Sequence, residues 1–275
     1  MLQGYHKGRF MPQVTVRVEE GIALVVLSNP PHGHVDRVTV EQLGFALDTI
    51  EANPSVFAVV VTGGETGVFA SHYSAEELEI LSRHLRMTRP APGEDPLPLA
   101  TLFAHTLARI EASPLPFIAA INGTCIGAGF EIALACDIRI VEDDGYTIGL
   151  PDANLGLVPG AGGSQRLPRL IGQARALELM LMGRTVSPVQ ALQMGIAQEM
   201  APDLAIDAAT IMAGRFADQY RPATARLKQL IRGAADLPLA EGIAAERAAF
   251  LALLREDEPL ARLHDLNRGE RDITD

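Results

Sequence analysis

Apolar and polar residues alternate over Val14-Thr15-Val16-Arg17-Val18, and after Glu19-Glu20-Gly21 comes an unbroken apolar run, Ile22-Ala23-Leu24-Val25-Val26-Leu27. Alternation with a period of two predicts a half-buried strand, and a continuous run predicts a strand covered on both faces. The pair therefore reads as a β-hairpin whose second strand is the more buried. Asn29-Pro30-Pro31-His32-Gly33 interrupts the chain, and residues 38–52 carry the spacing of an amphipathic helix that Asn53-Pro54 ends. Phe57-Ala58-Val59-Val60-Val61 predicts another buried strand, and Ser74-Ala75-Glu76-Glu77 has the form of a capping box opening a helix towards Leu85. Residues 88–98 are proline-rich and predict a mobile surface loop. The rhythm then repeats, with a helix over 99–111, a buried strand over 117–121, a helix over 128–135 and a strand over 137–141.

Strands buried on both faces and interleaved with helices predict an α/β fold with at least partly parallel sheets. After about Pro202 the pattern changes to Ala-rich helical stretches at 204–220, 222–233 and 239–255. The reading is an α/β core over residues 1–200 and a helical C-terminal part over 201–275. The net charge of -11 argues against binding nucleic acid or docking on an anionic membrane surface, and lysine occurs only at positions 7 and 228. Residues 1–12 are polar, and no apolar run reaches the roughly 18 residues of a membrane span, which predicts a soluble, cytoplasmic protein. Cys125 and Cys136 sit in apolar runs without metal-ligand spacing and read as small buried residues.

Two stretches carry chemistry. In residues 118–140, I-A-A-I-N-G-T-C-I-G-A-G-F-E-I-A-L-A-C-D-I-R-I, a buried strand runs into a glycine-rich turn, Gly127-Ala128-Gly129, that opens a helix. Peptide N–H groups at a helix start are unpaired, and the helix dipole adds partial positive charge there, so the turn suits an oxyanion, with Glu131 in the first helical turn beside it. In residues 149–172 a second carboxylate, Asp152, follows Pro151 on a loop, and Pro159-Gly160-Ala161-Gly162-Gly163 makes a sharp turn before a helix near Ser164.

These stretches, in this order and spacing, resemble the enoyl-CoA hydratase/isomerase family, also called the crotonase family. Met182-Gly183-Arg184-Thr185-Val186-Ser187, Ala191-Leu192, Met194-Gly195-Ile196-Ala197 and Leu239-Ala240-Glu241-Gly242 extend the likeness over about residues 14–258. The resemblance implies a crotonase-like spiral of ββα repeats, with a helical C-terminal region that assembles a homotrimer or a dimer of trimers. It implies an acyl-CoA thioester substrate, with coenzyme A present only as part of that substrate and no permanently bound cofactor or metal. It further implies an oxyanion hole of two backbone N–H groups, which map onto Tyr73 and Ala128.

Family hydratases activate water with two glutamates, which map onto Glu131 and Asp152. The aspartate is shorter by one C–C bond, roughly 1.5 Å, and the connection from Glu131 is one residue longer, so a shifted loop is expected. Hydration of a 2-enoyl-CoA to a 3-hydroxyacyl-CoA is the leading expectation. An isomerase, a thioester hydrolase, a C–C bond-forming or -cleaving relative, or a catalytically silent acyl-CoA binder are the alternatives.

The chain also departs from the family. A small-Gly-Ala-Asp run is usual where Ser71-His72-Tyr73-Ser74 stands, so His72 and Tyr73 imply an altered pocket wall, or side chains turned into packing. The resemblance places His32, His34 and Val35 in the loop near the pantetheine and thioester. It places Ala70, Ser71, His72, Gly127 and Pro151 against the substrate. With His6 this makes four histidines in the first 72 residues, but no ligand spacing accompanies them and a metal site is not expected. Arg37, Arg83, Arg166 and Arg169 are candidates to replace the lysines that relatives place near the CoA phosphates, Arg166 being better read as structural. Asp137 reads as core support that pairs with an arginine.

Overall fold

The computed structural model describes residues 12–88 and 98–274, so residues 89–97 of the loop expected at 88–98, and His6, lie outside the described residues. The hairpin is present as β1 (Val14–Glu19) and β2 (Ile22–Leu27), antiparallel, with Val16 opposite Val25. Helix α1 (Arg37–Glu51) starts where Asp36 accepts from the Thr39 N–H and the Thr39 side chain reaches back to the cap, a closed capping box that satisfies two orphan donors. There follow β3 (Ala58–Gly63), β4 (Gly67–Ala70), α2 (Ala75–Thr88), α3 (Pro98–Ala112), β5 (Phe117–Ile121), β6 (Gly123–Ile126), α4 (Ala128–Ala135), β7 (Ile138–Glu142) and β8 (Ile148–Gly149). A short 3-10 turn (Asp152–Leu155) leads to α5 (Gly163–Ile171), α6 (Gln173–Leu181), β9 (Thr185–Val186), α7 (Pro188–Met194) and β10 (Glu199–Ala201). The last elements are α8 (Ala205–Gly214), α9 (Arg221–Gly233), α10 (Leu239–Leu253) and α11 (Asp257–Asn267).

Strands β1-β2-β3-β5-β7-β10 form one sheet, parallel from β2 onwards, and β4-β6-β8-β9 form a second. The successive pairs β3-β4, β5-β6 and β7-β8 each give one strand to the large sheet and one to the small sheet before the chain turns into helix. The continuous apolar runs are explained by burial on two sides. On one face of the large sheet Val59, Val61, Phe117 and Ala119 join the main core with Leu43, Leu107 and Phe130. On the other, Ala58, Val60, Ile118 and Ile140 meet Ala205, Ala209 and Ala213, whose spacing of four puts small side chains on one face of α8 and lets it lie close.

The short strands of the second sheet were not legible. Residues 123–126, to which the sequence reading gave no element, form β6, and Gly123 is what permits it, since a Cβ there would lie 1.8 Å from the Gly67 carbonyl carbon. The capping box expected at Ser74 is half-formed. Ser74 Oγ accepts from the Glu77 N–H at 3.4 Å, while the Glu77 carboxylate takes the Tyr73 hydroxyl at 2.7 Å and the Arg37 N–H at 3.0 Å.

Helix α9 is clamped to the core by charge. Asp137 pairs with Lys228 at 2.7 Å and with Arg232 at 2.9 Å, so it has the arginine expected of it and a lysine besides. Lys228 also donates to the carbonyls of Ile110 and Leu115. Removing one member of a largely buried pair leaves the other charge uncompensated. Asp137→Ala should therefore lower unfolding free energy by about 3 kcal/mol, read by chemical denaturation, and adding Lys228→Met should recover much of that loss.

Candidate active site

Three chain segments converge at the ends of β2, β4 and β6, and backbone hydrogen bonds set their spacing. Ser71 N–H donates to the Gly33 carbonyl at 2.8 Å, Val35 N–H to His72 at 3.2 Å, and Ser74 N–H to Val35 at 2.7 Å. Gly129 N–H donates to the Ser71 carbonyl at 3.0 Å. Gly129 must be glycine, because a Cβ there would lie 2.0 Å from the Ala70 carbonyl oxygen. Gly127, at φ 54°, passes over His72, whose Cα would be 3.1 Å from an added Cβ. The peptides flanking Ala128 are thus paired, Gly127 N–H with the Gly149 carbonyl and Gly129 N–H with Ser71. The Ala128 and Tyr73 N–H groups have no hydrogen-bond partner among the described residues.

Glu131 lies one helical turn after Ala128 and is only 3% exposed. Its Oε1 accepts from the Ala161 N–H at 2.8 Å and the Gly163 N–H at 2.7 Å, both in the turn that opens α5. Burial pushes its carboxyl up to about 7, against the pull of those two N–H groups, and the charge of Asp152 adds to the rise. The Gly163 turn was visible in the sequence only as a turn; that it holds Glu131 was not. It is fixed from behind by Arg166, which donates to the Ala161 carbonyl at 2.6 Å and makes a bidentate pair with Glu111 at 2.6 and 2.9 Å. This arginine is therefore structural. Arg37, Arg83 and Arg169 are in exposed ion pairs with Glu41, Glu79 and Asp236.

Asp152 begins the 3-10 turn just after Pro151, half-buried, with Oδ2 buried and without a partner among the described residues. Burial raises its carboxyl, partly offset by its own N–H and by the nearby His72. The His72 ring lies against that of His34, tilted by 33° with centroids 4.4 Å apart, and the His34 ring against that of His32, tilted by 36° at 5.4 Å. Burial and these two neighbours lower the His34 imidazole, with Asp36 opposing them. The Tyr73 hydroxyl goes to Glu77 and its ring packs on the core. Val35, Ala70 and Ser71 are buried beneath this layer, Ser71 Oγ donating to the His32 carbonyl at 2.9 Å. Backbone bonds and ring contacts thus join the segments of Val35, Ser71, His72 and Gly129 with His32 and His34, and the charge of Asp152 reaches Glu131. Among the described residues no group of three or more His, Cys, Asp or Glu is placed to hold a metal ion, and no helix is long and apolar enough to cross a membrane.

Two unpaired peptide N–H groups, with a buried carboxyl one helical turn from one of them, can hold an oxyanion and move a proton beside it. The profile of the enoyl-CoA hydratase/isomerase family matches residues 17–261. The chain belongs to that family. It is 34% identical over 223 residues to a probable enoyl-CoA hydratase of Bacillus subtilis, covering 80% of this chain and 82% of the relative. It is 35% identical over 193 residues to the fatty acid oxidation complex subunit alpha of Shewanella frigidimarina, covering 68% of this chain but 26% of that longer protein. An enoyl-CoA hydratase from Bacillus anthracis superposes with a TM-score of 0.82 at 27% identity, over 94% of this chain and 96% of that one. The crotonase fold expected from the sequence is therefore the fold observed.

A carboxyl whose folded value lies near 7 rather than at the ordinary 4.5 binds a proton in the folded state that the unfolded chain has released. Stability is then unaffected by Glu131 below about pH 4.5, falls as pH rises towards 7, and carries the whole cost above it. Glu131→Gln removes the titration while keeping an acceptor for the two N–H groups. Thermal denaturation should show the variant gaining several degrees on wild type between pH 5 and pH 8.

Proposed function

We propose that this family member hydrates a 2-enoyl-CoA to a 3-hydroxyacyl-CoA. The observation that carries the reading is the pairing of two open peptide N–H groups, Tyr73 and Ala128, with the gripped carboxyl of Glu131. The thioester oxygen would sit between the two donors, which meet the negative charge that develops there as the α-carbon takes on enolate character, an effect worth roughly 3–4 kcal/mol for one such donor. Asp152 would orient the water and Glu131 take its proton as the oxygen bonds to the β-carbon, a proton then returning to the α-carbon. A carboxyl held near 7 is suited to giving and taking a proton at neutral pH. His32, His34 and Val35 would line the thioester arm, and Gly127 and Pro151 its opposite side. Coenzyme A enters only with the substrate.

One observation favours a second reading. Glu131 is held by two N–H groups whereas Asp152 Oδ2 has no partner among the described residues. A single fixed carboxyl suffices for an isomerase that moves a proton between the α- and γ-carbons. Incubation with 2-enoyl-CoAs in oxygen-18 water separates the two: hydration places label in a 3-hydroxyacyl-CoA, whereas isomerisation moves the double bond without label. On the hydration reading Glu131→Gln and Asp152→Asn each lower kcat by at least a hundredfold; an unchanged rate in Asp152→Asn rules out the two-carboxylate mechanism.

We also infer that the chain assembles through its C-terminal helices as a trimer or a dimer of trimers. Helices α10 and α11 bury no residue, and Ile243, Phe250 and Leu260 are each more than half exposed. A chain of this size does not leave such a face in water unless it meets another surface. Phe250→Asp with Leu260→Asp should convert the assembly to monomer in sedimentation velocity; wild type sedimenting as a monomer overturns the inference.

A further inference from the structure

The turn that holds Glu131 has a second side. Its Ala161 and Gly163 N–H groups go to Glu131, whereas the Ala161 carbonyl accepts from Arg166. Ala161 and Arg166 also line a cavity of about 980 Å³ between α5, α9 and residues of α3, α4 and β7, and none of Tyr73, Ala128, Glu131 or Asp152 lines it. That volume falls in the roughly 300–1,000 Å³ of small-molecule sites. The charge of the cavity is unlike that of the chain. Its wall carries five cationic side chains against three carboxylates, Glu111, Asp137 and Asp236, in a chain with 34 acidic and 23 basic residues. Lys228 spends its three ammonium hydrogens on Asp137 and on the Ile110 and Leu115 carbonyls, and Arg139 is bonded to main-chain carbonyls and Gln198. Arg232 is divided among Glu111, Asp137 and the Ala135 and Cys136 carbonyls. Arg166 and Arg169 are less committed. A guanidinium has five N–H hydrogens. Arg166 gives two to Glu111 and one to the Ala161 carbonyl, and Arg169 gives one to the Gln165 carbonyl and one to Asp236. The remaining hydrogens, two on Arg166 and three on Arg169, have no acceptor among the described residues.

The two arginines stand three residues apart on α5, a spacing that makes side chains neighbours. Beside them the wall is apolar, with Leu134, Leu170, Leu227 and Ile231 facing the same cavity. Leu227 and Ile231 are one helical turn apart on α9, which buries no residue, and are 59% and 65% exposed. Apolar side chains gathered on a concave surface, with a few polar groups converging on it, are the makings of a ligand site. We propose that this cavity is a second ligand site, separate from the one at Tyr73, Ala128 and Glu131, and that it takes an aliphatic carboxylate. The carboxylate accepts from Arg166 and Arg169, and the aliphatic chain lies along Leu227 and Ile231. A carboxylate matches the guanidinium fork in geometry and charge, and it brings the wall closer to neutrality. Arg166 keeps its bonds to Glu111 and the Ala161 carbonyl, so the ligand fills the cavity without releasing the turn that grips Glu131.

Isothermal titration calorimetry of the full chain with decanoate, kept below its micellar concentration, tests the assignment without turnover. Decanoate should bind saturably, and decanol and inorganic phosphate, which offer the aliphatic chain alone and the anion alone, should each bind at least about tenfold more weakly. Arg169→Gln removes a cation that takes no part in holding Glu131, and it should weaken decanoate by about tenfold with the thermal unfolding midpoint unchanged. A decanoate analogue bearing a diazirine should, on irradiation, label peptides from residues 163–171 or 221–233, read by mass spectrometry. The proposal is overturned by an absence of saturable binding, by an affinity that Arg169→Gln leaves unchanged, or by phosphate or decanol binding as tightly as decanoate. Label confined to the peptides that hold Tyr73, Ala128 or Glu131 overturns it too, since decanoate would then enter only the proposed acyl-CoA site.

Discussion

The contact on which this architecture depends is between two backbones. The start of α4 is pressed against the end of β4 so closely that Gly129 leaves no room for a side chain over the Ala70 carbonyl, and Gly127 crosses His72 at van der Waals distance. That approach turns strand-end and helix-start peptides into neighbours. It pairs the Gly127 and Gly129 N–H groups with carbonyls of the scaffold and leaves those of Ala128 and Tyr73 without a partner among the described residues. On the proposed hydration reading, donors kept unpaired in this way need no reorganisation when charge appears before them.

The carboxyl next to those donors is under tension between burial and support. Glu131 is nearly inaccessible, and burial alone would disfavour its ionised form strongly. Two peptide N–H groups from the α5 turn offset part of that cost, and the turn is itself braced by Arg166 on Glu111. Glu111 is shared with Arg232 of α9, which also reaches Asp137. The geometry of one buried carboxyl is therefore linked, through a chain of ion pairs, to the attachment of a helix from the C-terminal region. On the proposed hydration reading, this linkage joins the acid/base group to the part of the chain expected to assemble the oligomer.

Much of the scaffold was legible because it rests on local signals. Strand β2 and strand β5 are unbroken apolar runs, and α1 and α4 are marked by periodicity and by glycine, so their placement follows from hydrophobic burial and helix geometry alone. Strands β4, β6, β8, β9 and β10 are two to four residues long, and nothing local distinguishes them from turns. They exist because a neighbouring strand offers hydrogen bonds, which is information carried elsewhere in the chain.

The site divides along the same line. The order and spacing of its motifs, the carboxyls at 131 and 152, the glycines at the helix start and the departures at 72 and 73 were determined by the sequence, because residue type and spacing state which chemistry is available. Only the tertiary structure decided how that chemistry is held: that Ala161 and Gly163 grip Glu131, that the His72 ring lies against His34 and bonds the Tyr73 carbonyl, that Tyr73 sends its hydroxyl away to Glu77, and that Arg166 faces inward to Glu111. These outcomes depend on contacts between residues separated by tens of positions, whose distances are set by the packing of the two sheets and not by any local preference of the chain.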